Sequence, residues 1–450
     1  MYIPAGCLVL RELLIHYYSF LWRFNMFKRF ATTLMVLAIV GGSALADAKM
    51  GGNARQLSMG GAAAQGVALN PYIFEDPGYQ YINPAYQGLY KDYGWSNIGG
   101  GTLAGLSTGD NGYGMQHGGV NFSLGQGWAL GTILSHDDSP LNTLIGGLSV
   151  LGNSGLGVNP AEVFEAVTSY GWDHSHAGLS IMYGWTSTDQ MDTTGLSELS
   201  GTVIGLRAGI HHDMGSGNAF EASAAFRSSS ADDITPALSN EGSVTELRVS
   251  ARAKMRVNNK VNFIPVGVFA TASGDVKSAG TTVDDLSATS FALGAGGEIT
   301  SGGLYLAGGV SFAWAQTEEM VTPIGGTTVT ETISYTSFPT LNLGGEWWLT
   351  DWLAGRAGYY RAFVNTKTET PFFNPSITEM NVFGGTSTVL LGGYMGSDNS
   401  LVVLGLGARF GNFSLETTVS EEALRRGFGL AGAQDNINSF GYFTAGWNFE

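Results

Sequence analysis

The sequence predicts an all-β fold: a transmembrane antiparallel β-barrel of about fourteen strands, preceded by an N-terminal hatch or plug segment. Three observations lead there. Glycine is abundant and charge is sparse, with 67 Gly in 450 residues and 13% charged residues, where globular domains average roughly 7% and roughly 25%. Long segments alternate apolar and polar side chains, which is the period of an extended strand. Short Gly/Asn turns alternate along the chain with long polar stretches, as in barrels whose hairpins are tight at one end and open at the other.

Composition excludes the main alternatives. A chain with 24 Phe, 18 Tyr and 10 Trp is not the aromatic-poor kind that stays disordered, and its glycines follow no three-residue collagen period. Each interior glycine would cost a helix roughly 1 kcal/mol relative to Ala, which argues against a helical protein. No Pro/Ser linker or charge block divides the chain, so one continuous β architecture is expected.

The amino end reads as an address. Residues 31–46 (ATTLMVLAIVGGSALA) are the most apolar stretch, preceded by Lys28 and Arg29 and closed by Ala44-Leu45-Ala46. A basic start, a short apolar core and a small-residue cleavage site make a secretory signal. Met26 is then the expected initiator, residues 1–25 an over-called upstream start, and 26–46 the signal peptide. The alternative, an anchor over residues 8–24, is interrupted by Arg11, Glu12, His16 and Arg23. Removing residues 1–46 takes four basic residues and one acidic one, moving the formal charge from −16 to −19. So acidic a chain is not expected to bind nucleic acid, which needs a basic surface. The single cysteine, Cys7, leaves with the leader, so no disulfide, thiolate metal site or cysteine nucleophile is expected. Beyond residue 46 no apolar run reaches the ~18 residues of a spanning helix.

The lead-in, 47–112, and the barrel, 113–450, differ in pattern. Residues 245–257 (TELRVSARAKMRV) show the barrel rhythm most clearly. Leu247, Val249, Ala251, Ala253, Met255 and Val257 share one face, and Glu246, Arg248, Ser250, Arg252, Lys254 and Arg256 the other. At ~3.3 Å per residue such a strand reaches ~40 Å. Phe220, Ala222, Ala224 and Phe226 form a second apolar row, as do Leu179, Ile181, Tyr183 and Trp185, and Val402, Leu404, Leu406, Ala408 and Phe410. Gly125-Gln126-Gly127, Asn258-Asn259, Gly302-Gly303 and Gly411-Asn412 read as tight hairpin turns. The stretches 137–160, 275–285, 318–330 and 368–382 read as long loops at the other end. Aromatics near strand ends, such as Trp347-Trp348, Trp352 and Trp447, suit interfacial girdles, although packing in an ordinary β core would also use them.

Residues 53–95 lack long alternation and contain Asn70-Pro71, Asp76-Pro77 and Asn83-Pro84. This composition suits a compact plug or a lead-in to the first strand. Here the chain resembles the long-chain fatty-acid transporter (FadL-type) superfamily of outer-membrane barrels, in particular its PorV-like branch. The residues that carry the resemblance are Asn53-Ala54-Arg55, Leu57, Met59-Gly60-Gly61-Ala62, Glu75-Asp76-Pro77 and Asn83-Pro84-Ala85. At the far end Phe413-Ser414-Leu415-Glu416, Glu421-Glu422 and a final strand with Trp447 and Phe449 also match. Residues 63–74 are longer than that pattern, and Glu450 follows the last aromatic. The resemblance implies location in the bacterial outer membrane, a fourteen-strand barrel, and a hatch marked by Asn53, Arg55, Gly60, Gly61, Asn83 and Pro84. It implies passage of hydrophobic solutes through the lumen, whereas PorV-like relatives serve protein secretion.

Enzyme signatures are sparse: the chain has no HExxH, C-x-x-C or phosphate-loop motif. No catalytic role and no cofactor are expected, an outer-membrane hydrolase being the third-ranked possibility. His174-Ser175-His176 and His211-His212 fall short of a three-ligand metal site, and Asp137-Asp138, Asp232-Asp233 and Asp284-Asp285 read as solvated loop groups. The pointed candidate is the row Arg248, Arg252, Lys254 and Arg256. Each charge at the lipid midplane would cost ~2–4 kcal/mol, so the row must face the lumen. There it either attracts a carboxylate or phosphate head group or pairs with acids such as Glu221, Glu246 or Glu298. The expected partners are outer-membrane lipid and a hydrophobic small molecule. A scaffold role toward a secretion-system protein is the alternative.

Overall fold

The computed structural model describes residues 51–60, 76–99, 116–136, 162–192, 195–234, 239–321, 329–370, 376–382, 389–390, 393–394, 400–419 and 440–449. The expected upstream extension, signal peptide and Gly61 lie outside these residues, as do 137–160 and 420–439. The strands are β1 (Tyr93–Gly99), β2 (Gln116–Gly125), β3 (Trp128–His136), β4 (Glu162–Trp172), β5 (Ser175–Asp192), β6 (Gly195–Gly215) and β7 (Asn218–Ile234). They continue as β8 (Ser239–Arg256), β9 (Val261–Ser278), β10 (Thr281–Ser301), β11 (Leu304–Val321), β12 (Val329–Trp348), β13 (Leu353–Thr370) and β14 (Ser376–Val382). A small pair, β15 (Val389–Leu390) and β16 (Gly393–Tyr394), precedes β17 (Ser400–Phe410), β18 (Phe413–Val419) and β19 (Phe440–Asn448).

Among the described residues seventeen strands form one sheet, closed as an antiparallel barrel of 16 strands. The seam is direct: β1 pairs with β2 through Tyr93↔Asn121 and with β19 through Tyr93↔Asn448. β13 pairs with β17 along 353–361 and with β14 along 364–370, so β14 lengthens the wall locally. Among the described residues each of the sixteen ring strands, β1 to β13 and β17 to β19, has a partner on both sides, as a sheet in lipid requires, whereas β14 pairs with β13 alone.

The strand number corrects the expected fourteen. Part of the excess is β1, which lies inside the expected lead-in because YGWSNIG is too short and too polar to show alternation. The expected loop at 275–285 is also corrected. Ala279 (φ 49°) and Gly280 (φ 77°) make a two-residue turn, and β9 and β10 run as 18- and 21-residue strands up to it. Asp232-Asp233 likewise belong to β7, not to a loop.

Elsewhere the alternation sets the wall as expected. Leu247, Val249, Ile181, Trp185, Phe226 and Val402 face outward and are exposed, while Arg252, Glu221, Ser180 and Arg207 face inward and are buried. Apart from the turn at Ala279-Gly280, the tight turns gather at one end, and just above them lies an outward aromatic belt. Trp128–Tyr170 rings stand 4.8 Å apart, Trp352–Phe410 5.8 Å and Trp447–Phe449 5.8 Å. A second belt lies higher: Tyr183–Trp185 at 5.4 Å, Phe291–Trp314 at 5.6 Å and Phe312–Phe338 at 6.3 Å. About eight to ten residues of tilted strand separate the belts, roughly 20–25 Å, the height of the apolar band on outer-membrane barrels.

Above the second belt the two faces exchange character. Outward positions become polar, as at Glu241, Ser243, Ser273 and Ser287, all exposed. Inward positions become apolar, and Ala231, Val244, Ala272, Val276 and Ala288 form a buried cluster. The strands therefore continue past the upper belt as a collar with a polar outer face and an apolar inner wall.

Candidate functional site: the lumen and its inner segment

Residues 51–60 and 76–90 pack against the inner face of the ring near the tight turns. They form a short helix, Asn53–Ser58, a 3-10 turn, Pro77–Tyr81, and a second short helix, Tyr86–Leu89. The wall makes room with glycines. A Cβ on Gly178 would overlap the backbone of Pro84 and Ala85, and one on Gly209 the Asn83 amide. Across the lumen, Cβ atoms on Gly344, Gly358 and Gly405 would overlap Met59, Gly60 and Ser58. Much of the glycine excess thus serves close backbone approach, which no larger residue permits.

Wall side chains then hold the segment by hydrogen bonds. Asn83 Nδ2 donates to the Ile210 carbonyl at 3.0 Å, Asn342 Nδ2 to the Gly60 carbonyl at 2.6 Å, and the Ala54 amide to Thr444 Oγ1 at 3.1 Å. Asn121 Nδ2 donates to Gln80 Oε1 at 2.7 Å and to the Tyr90 carbonyl at 3.0 Å. Buried backbone groups of a segment without sheet partners need such donors and acceptors.

A buried ion network ties the ends of the segment together. Arg55 Nη1 lies 2.7 Å from Asp76 Oδ2, and Arg55 Nε 3.0 Å from Glu346 Oε2. Arg356 reaches the same Glu346 at 2.6 Å and Glu416 at 3.2 Å. Asp76 Oδ1 accepts the Gly52 and Gly78 amides at 3.0 and 2.8 Å. Burial disfavours the charged form of Arg55, and the Glu346 and Asp76 carboxylates outweigh it, so its pKa stands well above the ordinary arginine value. A second cluster joins Arg207 to Glu165 and to the carbonyls of Gln80 and Tyr81.

The row predicted on β8 divides. Arg252 pairs with Glu221, donates to Tyr86 Oη at 3.0 Å and stacks over the Tyr79 ring at 3.6 Å. Lys254 pairs with Glu298 at 2.8 Å. Arg256 is not lumenal but sits exposed at the tight-turn end, on the Ser216 carbonyl at 3.2 Å and Asn259 Oδ1 at 2.8 Å. Arg248 faces the lumen between Ala225 and Ala270, and its Nε has no hydrogen-bond partner among the described residues. No described carboxylate forms an ion pair with it.

Of the predicted hatch residues, Arg55 and Asn83 bind the wall, Gly60 (φ 81°) lends its carbonyl to Asn342, and Pro84 packs on Gly178. Asn53 begins the first helix. Sequence reasoning missed Glu346, Arg356, Arg207 and Glu165, whose inward parity was their only signal, and marked Glu416 only as part of the tail pattern. Among the described residues no group of three His, Cys, Asp or Glu could hold a metal.

No protein-family model matches the sequence, and no curated protein sequence matches it. Solved structures with a similar course include the toluene transporter TodX of Pseudomonas putida, at TM-score 0.38 and 11% identity, covering 90% of this chain and 99% of that one. BauA, the ferric preacinetobactin receptor of Acinetobacter baumannii, scores 0.39 at 8% identity, and the match covers 72% of this chain and 53% of that one. The alcaligin outer membrane receptor FauA of Bordetella pertussis scores 0.38 at 9% identity, covering 79% and 75%. This chain thus spans about half the length of BauA. At TM-scores below 0.5 these likenesses assign neither a family nor a role; the closed antiparallel β-barrel is read from the strand pairing itself.

Proposed function

We propose that this chain is an outer-membrane barrel of FadL-like design that passes a hydrophobic or amphipathic solute by diffusion, with residues 51–60 and 76–90 as its hatch. The observation that carries this reading is the reversal of polarity above the upper belt. A collar that is polar outside and lined by Ala231, Val244, Ala272, Val276 and Ala288 offers an apolar path from water toward the lumen. At the foot of that path stands Arg248, whose neighbours Ala225 and Ala270 are small. An amphipathic solute would lay its tail along the collar and set an anionic head on the free guanidinium. The leader at 26–46 would direct export, and the role needs no cofactor and no catalysis.

The PorV-like alternative draws on the same collar, whose polar outer face extends well clear of the bilayer and could seat a secretion component. Uptake by proteoliposomes separates the two. Accumulation of oleate dependent on the protein supports transport; leakage no greater than in protein-free vesicles, together with stable co-purification of a secretion protein, overturns it.

A further inference from the structure

The lipid-facing wall is not uniformly ridged. Between the two belts, β10 to β13 carry glycine pairs in register, Gly296↔Gly309 and Gly297↔Gly308 on β10 and β11 and Gly344↔Gly358 on β12 and β13, while Gly345 of β12 stands opposite Leu306. Inward members of this patch admit the hatch, as Gly344 does for Met59. The outward members, Gly297, Gly308 and Gly345, meet no hatch residue: a Cβ on Gly297 or Gly308 would press on the neighbouring strand's Asn262 or Asn342 carbonyl, 2.9 and 2.8 Å away, and one on Gly345 only on the Leu306 side chain. They floor a groove of about 670 Å³ on the outside of the barrel, walled by Val261, Ile299, Leu306, Leu343, Tyr359 and Val402. The lining is apolar apart from the Tyr359 hydroxyl and Glu298, whose carboxylate is engaged by Lys254 and Tyr305.

The foot of the groove is different in charge. Val261 opens β9, and the residue before it is Lys260, exposed in the tight turn with no carboxylate partner among the described residues. The Lys260 carbonyl accepts the Thr300 amide at 2.9 Å, which fixes the lysine backbone beside Ile299 of the groove wall. Arg256, also exposed, lies at the other side of the same turn. In a chain of formal charge −16, two cations below an apolar slot form a local exception. They lie at the level where the phosphate of a lipid in the turn-side leaflet would sit.

From this geometry we infer a specific site for one anionic phospholipid: an acyl chain in the outward groove over Gly297, Gly308 and Gly345, and its phosphate on Lys260. The inference rests on the transmembrane reading of the barrel and is independent of what the lumen transports. Surrounding lipid fills any depression, so the content of the proposal is retention and head-group selectivity. Each buried methylene contributes roughly 0.8 kcal/mol against water, but nothing against other lipid. Selectivity must therefore come from shape and from the lysine.

The test uses the full processed chain, purified in detergent and mixed with equal amounts of phosphatidylglycerol and phosphatidylcholine, with retained lipid counted by native mass spectrometry. The expected result is one tightly held phosphatidylglycerol. Gly345→Leu fills the groove where the nearest obstacle is only the flexible Leu306 end, 3.1 Å away, and should weaken retention of both lipids about tenfold. Lys260→Gln should keep retention and abolish the preference for phosphatidylglycerol. Unchanged retention in Gly345→Leu, or an unchanged preference in Lys260→Gln, overturns the site. Heat-resistant migration of each variant reports whether the barrel itself is intact. Should Gly345→Leu fail that check, Val402→Trp fills the same groove from its rim, with the same expected loss and the same contradiction.

Discussion

The Arg55 guanidinium lies 2.7 Å from the Asp76 carboxylate, joining two segments that the sequence separates by 21 positions. Both groups are buried, and Glu346 of the wall shares the same arginine. One cation thus fastens the first helix to the 3-10 turn and both to the barrel. Arg55→Ala would leave two carboxylates buried without it, a change that costs about 3–5 kcal/mol in comparable pairs. The expected outcome is faster proteolysis within residues 51–90 while the ring stays heat-resistant. Proteolysis at the wild-type rate would contradict the arrangement.

Gly209 and Gly178 give a second prediction. Gly209→Val or Gly178→Val would push Asn83 and Pro84 off the wall and remove the 3.0 Å bond to the Ile210 carbonyl. Single-channel conductance in planar bilayers should rise in both variants, because the inner segment would no longer be held on the lumenal wall. Conductance equal to that of the wild type would show that the segment does not restrict the path.

The β8 cations should separate by role. Arg248→Gln removes a guanidinium without an ion-pair partner among the described residues and should reduce uptake of oleate several-fold, with little change in heat resistance. Arg252→Gln breaks the pair with Glu221 and the bond to Tyr86, so it should lower stability by about 3 kcal/mol, as for other broken buried pairs. Oleate uptake and urea-induced unfolding, measured on both variants, check the division. Equal effects of the two substitutions on uptake and stability would reject it.

Legibility from sequence followed the physics of each face. Residues 245–257 could be read because lipid enforces apolar groups outward and tolerates charge inward. The same rule misled at 275–285, where Asp275 and Asp285 are register partners on strands that run on above the upper belt, in the part of the wall whose outward positions are polar. Arg248 and Arg252 look alike along β8. Only the register, which sets Arg252 opposite Glu221, tells the paired from the unpaired cation. The wall glycines were visible as a composition, yet their purpose depends on which of them meet Asn83 or Met59 in space.

The bilayer band makes a depth prediction. Ile181 faces outward between the belts and Ser273 above them, both exposed. Ile181→Arg should destabilise the barrel by about 2–4 kcal/mol in lipid vesicles, and Ser273→Arg by less than about 1 kcal/mol. Equal costs, measured by reversible denaturant unfolding, would mean that the belts do not mark the membrane.

Closure of the ring is tested most directly at its seam. Ser96 of β1 and Ala445 of β19 are register partners, 349 positions apart in sequence. Adjacent antiparallel partners stand about 4.5–5.5 Å apart at Cα, within disulfide reach. In a chain with Cys7→Ser, the pair Ser96→Cys and Ala445→Cys should cross-link on oxidation in folded, detergent-solubilised protein and give a single loop-closed band under denaturing conditions. Two free thiols after oxidation, with the protein otherwise folded, would contradict a sheet whose first strand meets its last.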